Sequence, residues 1–541
     1  MSATPSPATA IKPYHWTQDL VSGFLVSLIA LPLCLGISMA SGFPPTAGLL
    51  TAMIGGLVVS RISGSHVTIN GPAAGLIVVI LSAVQSLGGS DAMAGYRYTL
   101  AAIVVASLFQ ILMGIMKAGR LNAYFPASVV HGMLAAIGII IMAKQIHVMV
   151  GVKLQGMDLL QTIAQIPDSL SNPNPEIAVI GAISIVILML WSSQTHRYLK
   201  MIPAPIIVVA VGMYFGQQFD LDHEHIYLLQ ADAKLLAHHE YTVGPTFLVT
   251  IPDNLLATLY FPDFSRWATA EFWEAVISIC LVGSLETLLS ATAVDKLDPE
   301  KRYSDLNRDL MAVGVGNLLA GLIGGLPMIA EIVRSSANVA NGARTQWANF
   351  FHGLFLLLFV LLLSSVIHEI PLACLAALLV YTGFRLASPG EFAKTMDLGW
   401  EQLFICLATI AGVLATDLLL GGLIGIATKL LIHLLRGVSP RDLLRISYTA
   451  EQRQDGQWHI AIQGSAIFSN FIALKSEVAA IPDGQHIVFD FNDAYLIDHT
   501  VMEFIHHFQQ DYEERGGHCA LQGLDGHNAF SRHPLAARKK K

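Results

Sequence analysis

Gly64-Ser65-His66-Val67-Thr68-Ile69-Asn70-Gly71-Pro72-Ala73-Ala74-Gly75 is polar and marked by Gly and Pro, yet it runs straight into a short apolar segment at 71–86. A second approach of this kind, Gly324-Gly325-Leu326-Pro327, enters another short apolar segment at 327–340. Backbone that is not helical at membrane depth must be satisfied by protein or must line a wet cavity. A pair of short, Gly/Pro-interrupted segments at corresponding positions in two halves of a chain points to a transporter's midplane site. Either segment alone fits a kinked helix with packing glycines equally well. The matched pair favours the site. Proline suits the first turn of a helix, where its missing N–H costs nothing. Pro72 and Pro327 are therefore expected to open two half-helices whose free N–H groups and positive dipole ends converge. That geometry attracts an anion without a full positive charge.

The rest of the chain supplies the membrane around this pair. Its 541 residues are 54% hydrophobic and 13% charged, with a mean hydropathy of +0.57. A soluble globular chain carries about a quarter charged residues; half of that cannot solvate a fold of this length. A cytosolic enzyme and a secreted disulfide domain are excluded. The five cysteines form no CxxC pair, so neither a zinc site nor a disulfide framework is expected. A net charge of −8 gives no reason to invoke nucleic acid, and no P-loop is present for ATP-driven pumping. The run at 20–40 is long enough to span and reads as a retained first helix, kinked at Pro32, rather than a signal peptide. Further apolar runs follow at 44–60, 71–86, 99–116, 126–149, 176–192 and 202–215. After the polar 216–270 stretch they resume at 271–293, 308–325, 327–340, 349–368, 371–386, 402–417 and 418–435. The reading is an all-α polytopic membrane domain of about 14 segments in two groups of seven.

Basic residues orient it. Arg61, Lys117, Arg120, Arg197, Lys200, Lys296, Lys301, Arg302, Arg308, Arg344, Arg385 and Lys394 fall in loops of one side, against Arg97, Lys153, Lys234 and Arg266 on the other. By the positive-inside rule both termini are cytoplasmic, and 216–270, with Asp220, Asp222, Glu224, Asp232 and Glu240, faces outward. The expected domains are a cytoplasmic N-terminal segment (1–19, with an interfacial Tyr14-His15-Trp16), a membrane domain (20–437), a small cytoplasmic α/β domain (438–535) and a basic tail (536–541). Strand-like runs at 459–462, 486–491 and 519–521, with an amphipathic helix at 500–514, support the α/β reading. The tail, with its three terminal lysines, is expected to be disordered near anionic lipid.

Ionisable groups at membrane depth are functional candidates by default. Glu286 lies mid-span with Ser290 four residues on and on the same face, a pairing that can hold a proton or help ligate Na⁺. Glu331 and Arg334 stand at i, i+3 in the tenth span and can pair; a functional Arg334 adds fixed positive charge beside the half-helix N-termini, tempered by Glu331. Lys144 and Lys429 are expected to snorkel, His131 and His352 to be satisfied at helix interfaces, and Asp417 to be interfacial.

At these residues the chain resembles the SulP family of anion transporters, the sulfate permease and solute-carrier-26 group, from Asp19 to about Pro534. The motifs are Ala30-Leu31-Pro32-Leu33, Ala40-Ser41-Gly42-Phe43-Pro44-Pro45-Thr46-Ala47-Gly48-Leu49, Ile69-Asn70-Gly71-Pro72, and Gly324-Gly325-Leu326-Pro327 with Arg334, Asn338 and Asn341-Gly342-Ala343-Arg344-Thr345. The C-terminal segment is similar to the STAS domain that ends such transporters. The resemblance implies a 7+7 inverted repeat, with spans 1–4 and 8–11 as core and 5–7 and 12–14 as gate, and an elevator-type homodimer. It implies an anion site at Ala73, Ala74, Gly75, Ile329, Ala330, Glu331 and Arg334, and cation coupling at Glu286, Ser290 and Glu331, with Glu286 and Ser290 the candidate Na⁺ ligands. Departures from the family pattern are Leu33 for glutamine, Ile37 for an aromatic residue, and Ile329-Ala330-Glu331 after the tenth-span proline. An acidic Glu331 disfavours a dianion, so bicarbonate is expected ahead of sulfate. His499 stands where soluble STAS relatives often carry a phosphorylated serine, with Thr500 adjacent.

The expected function is secondary active transport of a small inorganic anion across the inner membrane, coupled to Na⁺ or H⁺. No cofactor, enzymatic activity or nucleic-acid partner is expected; membrane lipid, a second copy and a cytoplasmic protein at the STAS-like domain are. A nucleobase:cation symporter of the same inverted-repeat fold is the alternative, and a membrane-tethered sensor a more distant one.

Overall fold

A bilayer offers backbone N–H and C=O groups no partner but each other, so the apolar runs are helical. The computed structural model describes residues 16–119, 126–153, 159–192, 202–228, 240–250, 259–416, 418–454, 456–478 and 480–541. Residues 1–15, Arg120, Arg197, Lys200, Asp232, Lys234 and Asp417 lie outside the described residues, so the expectations placed on them stay as stated. The first helix, Trp16–Ala40, is one helix through Pro32.

Among the described residues seven helices are long and apolar enough to cross a membrane: Thr17–Ala40, Pro45–Ile62, Ala92–Ile115, Ala127–Met149, Ala270–Asp295, Leu372–Leu398 and Leu418–Leu435. An eighth is counted if Leu159–Ser171 and Pro175–Trp191, bent by 106°, form one span. Ala74–Gly88, Ala204–Gln218, Trp347–Leu362 and Trp400–Ala415 are apolar but shorter. Length and apolarity thus give seven or eight spans where the sequence suggests about 14, since several of the expected segments are short or broken. The polar 216–270 stretch contains an antiparallel pair, His225–Leu228 with Glu240–Val243.

By contacts the chain forms two units. The first comprises Met1–Gly119, His147–Lys153 and Asp168–Leu379. Small residues let its helices approach closely, as membrane packing requires. A Cβ on Gly56 would stand 2.5 Å from the Gly353 backbone nitrogen, and one on Gly23 would stand 2.7 Å from Phe351 Cβ and 2.9 Å from the His352 nitrogen. Asp19 fixes the start of the first helix by accepting from the Arg344 amide at 2.8 Å and the Thr345 hydroxyl at 2.5 Å. The segments expected at 176–192 and 202–215 are the helices Pro175–Ser192 and Ala204–Gln218. Both helices belong to the first unit, where a Cβ on Gly212 would overlap the Cys374 sulfur and Ser184 Oγ lies 3.6 Å from that sulfur. Gly56→Ala forces backbone against backbone with nothing flexible to yield. It is expected to destabilise the protein by about 2 kcal/mol, read as a lower thermal midpoint in detergent.

The second unit comprises Arg120–Ile146, Leu154–Pro167 and Val380–Lys541. Its membrane part packs in the same way: a Cβ on Gly132 would stand 2.7 Å from the Cys406 carbonyl. The C-terminal part is a seven-stranded mixed sheet with helices. Its central strand, Trp458–Ala466, pairs in parallel with His486–Asp490 and Ala494–Ile497 and antiparallel with Ser447–Gln452. Alternation puts Ile460 and Ile462 inward, against Phe489, Phe491, Ile497 and the Val501 and Ile505 face of the His499–Glu514 helix. The α/β reading holds, but the tail is not disordered. Arg538–Lys540 is a strand, antiparallel to His527–Ala529 and Ala494–Ile497, with Ala536 and Ala537 buried behind it. Pairing on both edges satisfies its backbone, so its positive charge does not free it.

Candidate functional site

The two Gly/Pro-marked approaches meet. Ile69–Pro72 and Met328–Glu331 pair as antiparallel strands, with Ile69 opposite Glu331, Asn70 opposite Ala330, Gly71 opposite Ile329 and Pro72 opposite Met328. Neither proline opens a helical turn as expected. Pro72 ends the first strand and Pro327 precedes the second, because each strand of a two-stranded pair has an edge that needs no N–H donor. After Pro72 the chain stays extended at Ala73 (φ −104°, ψ 140°), makes a tight turn over Ala74–Leu76 and enters the helix Ile77–Gly88. The second strand passes straight into Ile332–Ala340, with Glu331 as its extended N-cap residue. Two helix N-termini therefore flank one buried strand pair, each with its first amides unpaired within the helix.

Buried polar side chains hold this pair where water cannot. Asn317 accepts from the Met328 amide at 2.6 Å and donates to the Met328 carbonyl at 3.2 Å and to Gln110 Oε1 at 2.8 Å. The Ile69 amide donates to Ser335 Oγ at 2.8 Å, Asn338 donates to the Val67 carbonyl at 2.8 Å, and Ser22 donates to Asn338 Oδ1 at 2.7 Å. Asn349 donates to Asn70 Oδ1 at 3.0 Å, and Thr51 to the Leu326 carbonyl at 2.8 Å. Each bond removes the several-kcal/mol penalty, roughly, of an unpaired group in an apolar surround. Asn317, Ser335 and Asn349 are positioning residues that the sequence reading passed over. An asparagine in an apolar run was the available signal.

The ionisable groups gather around the strands. The Ala270–Asp295 helix packs on Met328–Glu331 and on the Ala74–Leu76 turn. Its Glu286 carboxyl lies so close to Gly75 that a Cβ there would overlap both carboxyl oxygens. Only glycine admits that approach without moving the side chain. Ser290 is buried one turn further on. Arg334 is buried on the other half-helix. It donates through Nη2 to the Pro72 carbonyl at 2.8 Å, and its Nη1 abuts Gly71. Arg334 Nε and Nη1 have no hydrogen-bond partner. The Glu331–Arg334 pair that the spacing allows does not form. Glu331 sits in a strand rather than a helix, so the i, i+3 spacing does not bring it to Arg334, whose guanidinium turns to the other strand. Glu331 makes no side-chain cap hydrogen bond at this helix start, and Arg334 lies within electrostatic reach of its carboxylate. Ala73, Ala74, Gly75, Ile329 and Ala330 are all buried here.

His352 is a correction as well. It is buried with no hydrogen-bond partner on either ring nitrogen, within electrostatic reach of Arg334. Among the described residues no cluster of three or more His, Cys, Asp or Glu could hold a metal. A Na⁺ at Glu286 would complete its shell with hydroxyl and carbonyl oxygens, the hard ligands it prefers.

Comparison with known proteins places these features. Residues 16–409 match the Sulfate permease family. The chain is 26% identical over 471 residues to the putative sulfate transporter YvdB of Bacillus subtilis (strain 168), covering 85% of this chain and 82% of that one. It is 24% identical over 525 residues to the bicarbonate transporter BicA of Synechocystis sp., covering 94% and 88%. Among solved structures, the transmembrane domain of a cyanobacterium bicarbonate transporter BicA superposes with a TM-score of 0.60 at 23% identity, over 76% of this chain and 97% of that one. The overall structure of SLC26A9 superposes with a TM-score of 0.64 at 16% identity, over 93% and 84%. Both likenesses show the fold of the mostly helical membrane domain, and the second extends over the β-rich C-terminal domain.

Proposed function

The chain belongs to the sulfate permease family, and from that premise we propose that it is a secondary active transporter of a small inorganic anion, with bicarbonate ahead of sulfate. One arrangement carries the reading: a buried strand pair flanked by two helix N-termini, with the free donors of Arg334 on one side and the Glu286 carboxyl against Gly75 on the other. The amides and Arg334 attract the anion, the small side chains of Ala73, Ala74 and Ala330 let it reach the backbone, and Glu286 with Ser290 takes the coupling Na⁺ or H⁺. Relatives named for sulfate and for bicarbonate bracket the substrate class; none of the relatives named above is a nucleobase carrier.

Glu331 argues for a single charge. A carboxylate beside the site adds about 1 kcal/mol of repulsion per extra substrate charge at bulk-water screening and several-fold more at a protein surface. Removing that charge with Glu331→Gln is expected to raise sulfate uptake relative to bicarbonate by about tenfold, measured as the ratio of the two initial rates in proteoliposomes. An unchanged ratio removes Glu331 as a charge filter.

The wider reading is a 7+7 inverted repeat in the inner membrane with both termini cytoplasmic, working as an elevator-type homodimer that ends in a STAS-like domain. Counterflow of labelled bicarbonate with unlabelled bicarbonate, sulfate, chloride and uracil as competitors tests the substrate class. Competition by the anions alone is expected. Competition by uracil with none from the anions would put the nucleobase reading in its place.

A further inference from the structure

Lys429 was expected to snorkel toward water, and it does not. It lies in the apolar Leu418–Leu435 helix with its side chain 1% exposed. Its Nζ stands 3.2 Å from Asp498 Oδ2, donates to Thr500 Oγ1 at 3.0 Å and sits 4.7 Å over the Phe468 ring. Asp498, Thr500 and Phe468 all belong to the C-terminal domain.

The place it enters is unfavourable for a cation. Asp498 is the N-cap of the His499–Glu514 helix, accepting from the Val501 amide at 2.9 Å through Oδ1 and from the Phe468 amide at 2.8 Å through Oδ2. A helix N-terminus carries partial positive charge and repels an ammonium. The Asp498 carboxylate, with the Thr500 hydroxyl and the Phe468 ring face, makes Lys429 tolerable there. His433, one turn along the membrane helix, approaches the same oxygen at 3.6 Å. Burial alone would raise the Asp498 carboxyl, yet Lys429 and then His433, with the Val501 amide, hold it well below the usual carboxylate range. Asp498 is therefore charged at any physiological pH.

Other contacts between these parts of the second unit are of a different kind. Arg436 lies 3.7 Å from the Phe530 ring centroid, and within the membrane part it pairs with the buried Glu401. Tyr495 and Lys539 each donate to the Arg436 carbonyl at 3.0 Å, and Ser531 Oγ lies within donating distance of the Asp397 and Leu398 carbonyls. The Tyr495, Lys539 and Ser531 contacts are partly exposed, and water can replace each of them at small cost. The Lys429–Asp498 pair is fully buried, and removing one partner leaves a buried charge uncompensated.

We propose that Lys429 and Asp498 form a charge latch by which the C-terminal domain holds the last membrane helix, and that releasing it changes the transport rate. The second half rests on the transport function proposed above. The test uses the full chain in nanodiscs and in proteoliposomes. Lys429→Met keeps the apolar stem over Phe468, and Asp498→Asn keeps a good N-cap residue. Amide hydrogen exchange over 499–503 and 429–435 is expected to rise about tenfold in each single variant and to return to within about threefold of wild type in the double variant, where no buried charge is left alone. Initial uptake of labelled bicarbonate is expected to change at least about threefold in both singles and to revert in the double.

Unchanged exchange in both singles overturns the latch, and so does equal exchange in the singles and the double. The expected exchange pattern with unaltered uptake overturns the control of rate while the latch stands. Absence of uptake by wild type defeats the function proposed above and the rate control with it, and the exchange arm still decides the latch.

Discussion

Glu286→Gln is expected to abolish uptake against a gradient while leaving the protein folded and inserted. Glutamine matches glutamate in volume, so the packing of the Ala270–Asp295 helix against the strand pair and the contact with Gly75 persist. What disappears is the one negative charge on that helix face at the site. A buried charge that has lost its counter-ion costs about 3 kcal/mol, so cation affinity falls roughly 100-fold. Accumulation then drops to the equilibrium level, and anion exchange down a gradient continues. The measure is the steady-state accumulation ratio in proteoliposomes under an imposed gradient. Gly75→Ala supplies an independent check, because its Cβ displaces the same carboxyl without altering it. It is expected to lose accumulation in the same way. Full accumulation by Glu286→Gln would take this residue out of coupling.

Arg334→Gln is expected to act on the anion rather than on the coupling ion. The guanidinium spends one donor on the Pro72 carbonyl and keeps Nε and Nη1 unpartnered in a buried setting. Hydrogen bonds from a charged donor contribute about 1.5–3 kcal/mol each, so losing the group should raise KM for the anion by roughly 100-fold. Arg334→Lys should fail to restore it, because one ammonium cannot hold the Pro72 carbonyl and also present a fork to the substrate. The concentration dependence of initial uptake separates the two cases. A KM within about threefold of wild type in Arg334→Gln would show that the helix N-termini alone suffice.

The position of the candidate site was legible in the sequence because Gly and Pro at membrane depth have few meanings. Asn70-Gly71-Pro72 and Gly325-Leu326-Pro327 marked both strands, and Glu286 and Arg334 stood out as charges in apolar runs. The form of the site was not legible. Antiparallel pairing of two four-residue strands is a long-range contact, 69–72 with 328–331, and no local pattern announces it. For that reason the prolines were expected in helical turns and Glu331 was expected within pairing reach of Arg334. His352 and Lys429 were misread for a related reason. Whether a buried polar side chain finds a partner depends on elements distant in sequence, the 332–340 half-helix for His352 and the 498–500 segment for Lys429. The C-terminal strands were legible where they alternate, as at Trp458–Ala466. The strand at Arg538–Lys540 was hidden by its charge, since its pairing rather than its composition makes it a strand.

In the function proposed above, one buried strand crossing binds an anion and a coupling cation together. Its most direct test is labelled bicarbonate uptake into proteoliposomes of the wild-type protein with a Na⁺ gradient, a pH gradient or neither imposed. Accumulation above equilibrium under one of the two gradients, and under neither condition without it, is the predicted result. Uptake that equilibrates identically in all three conditions would contradict it, leaving Glu286 without a transported cation to bind.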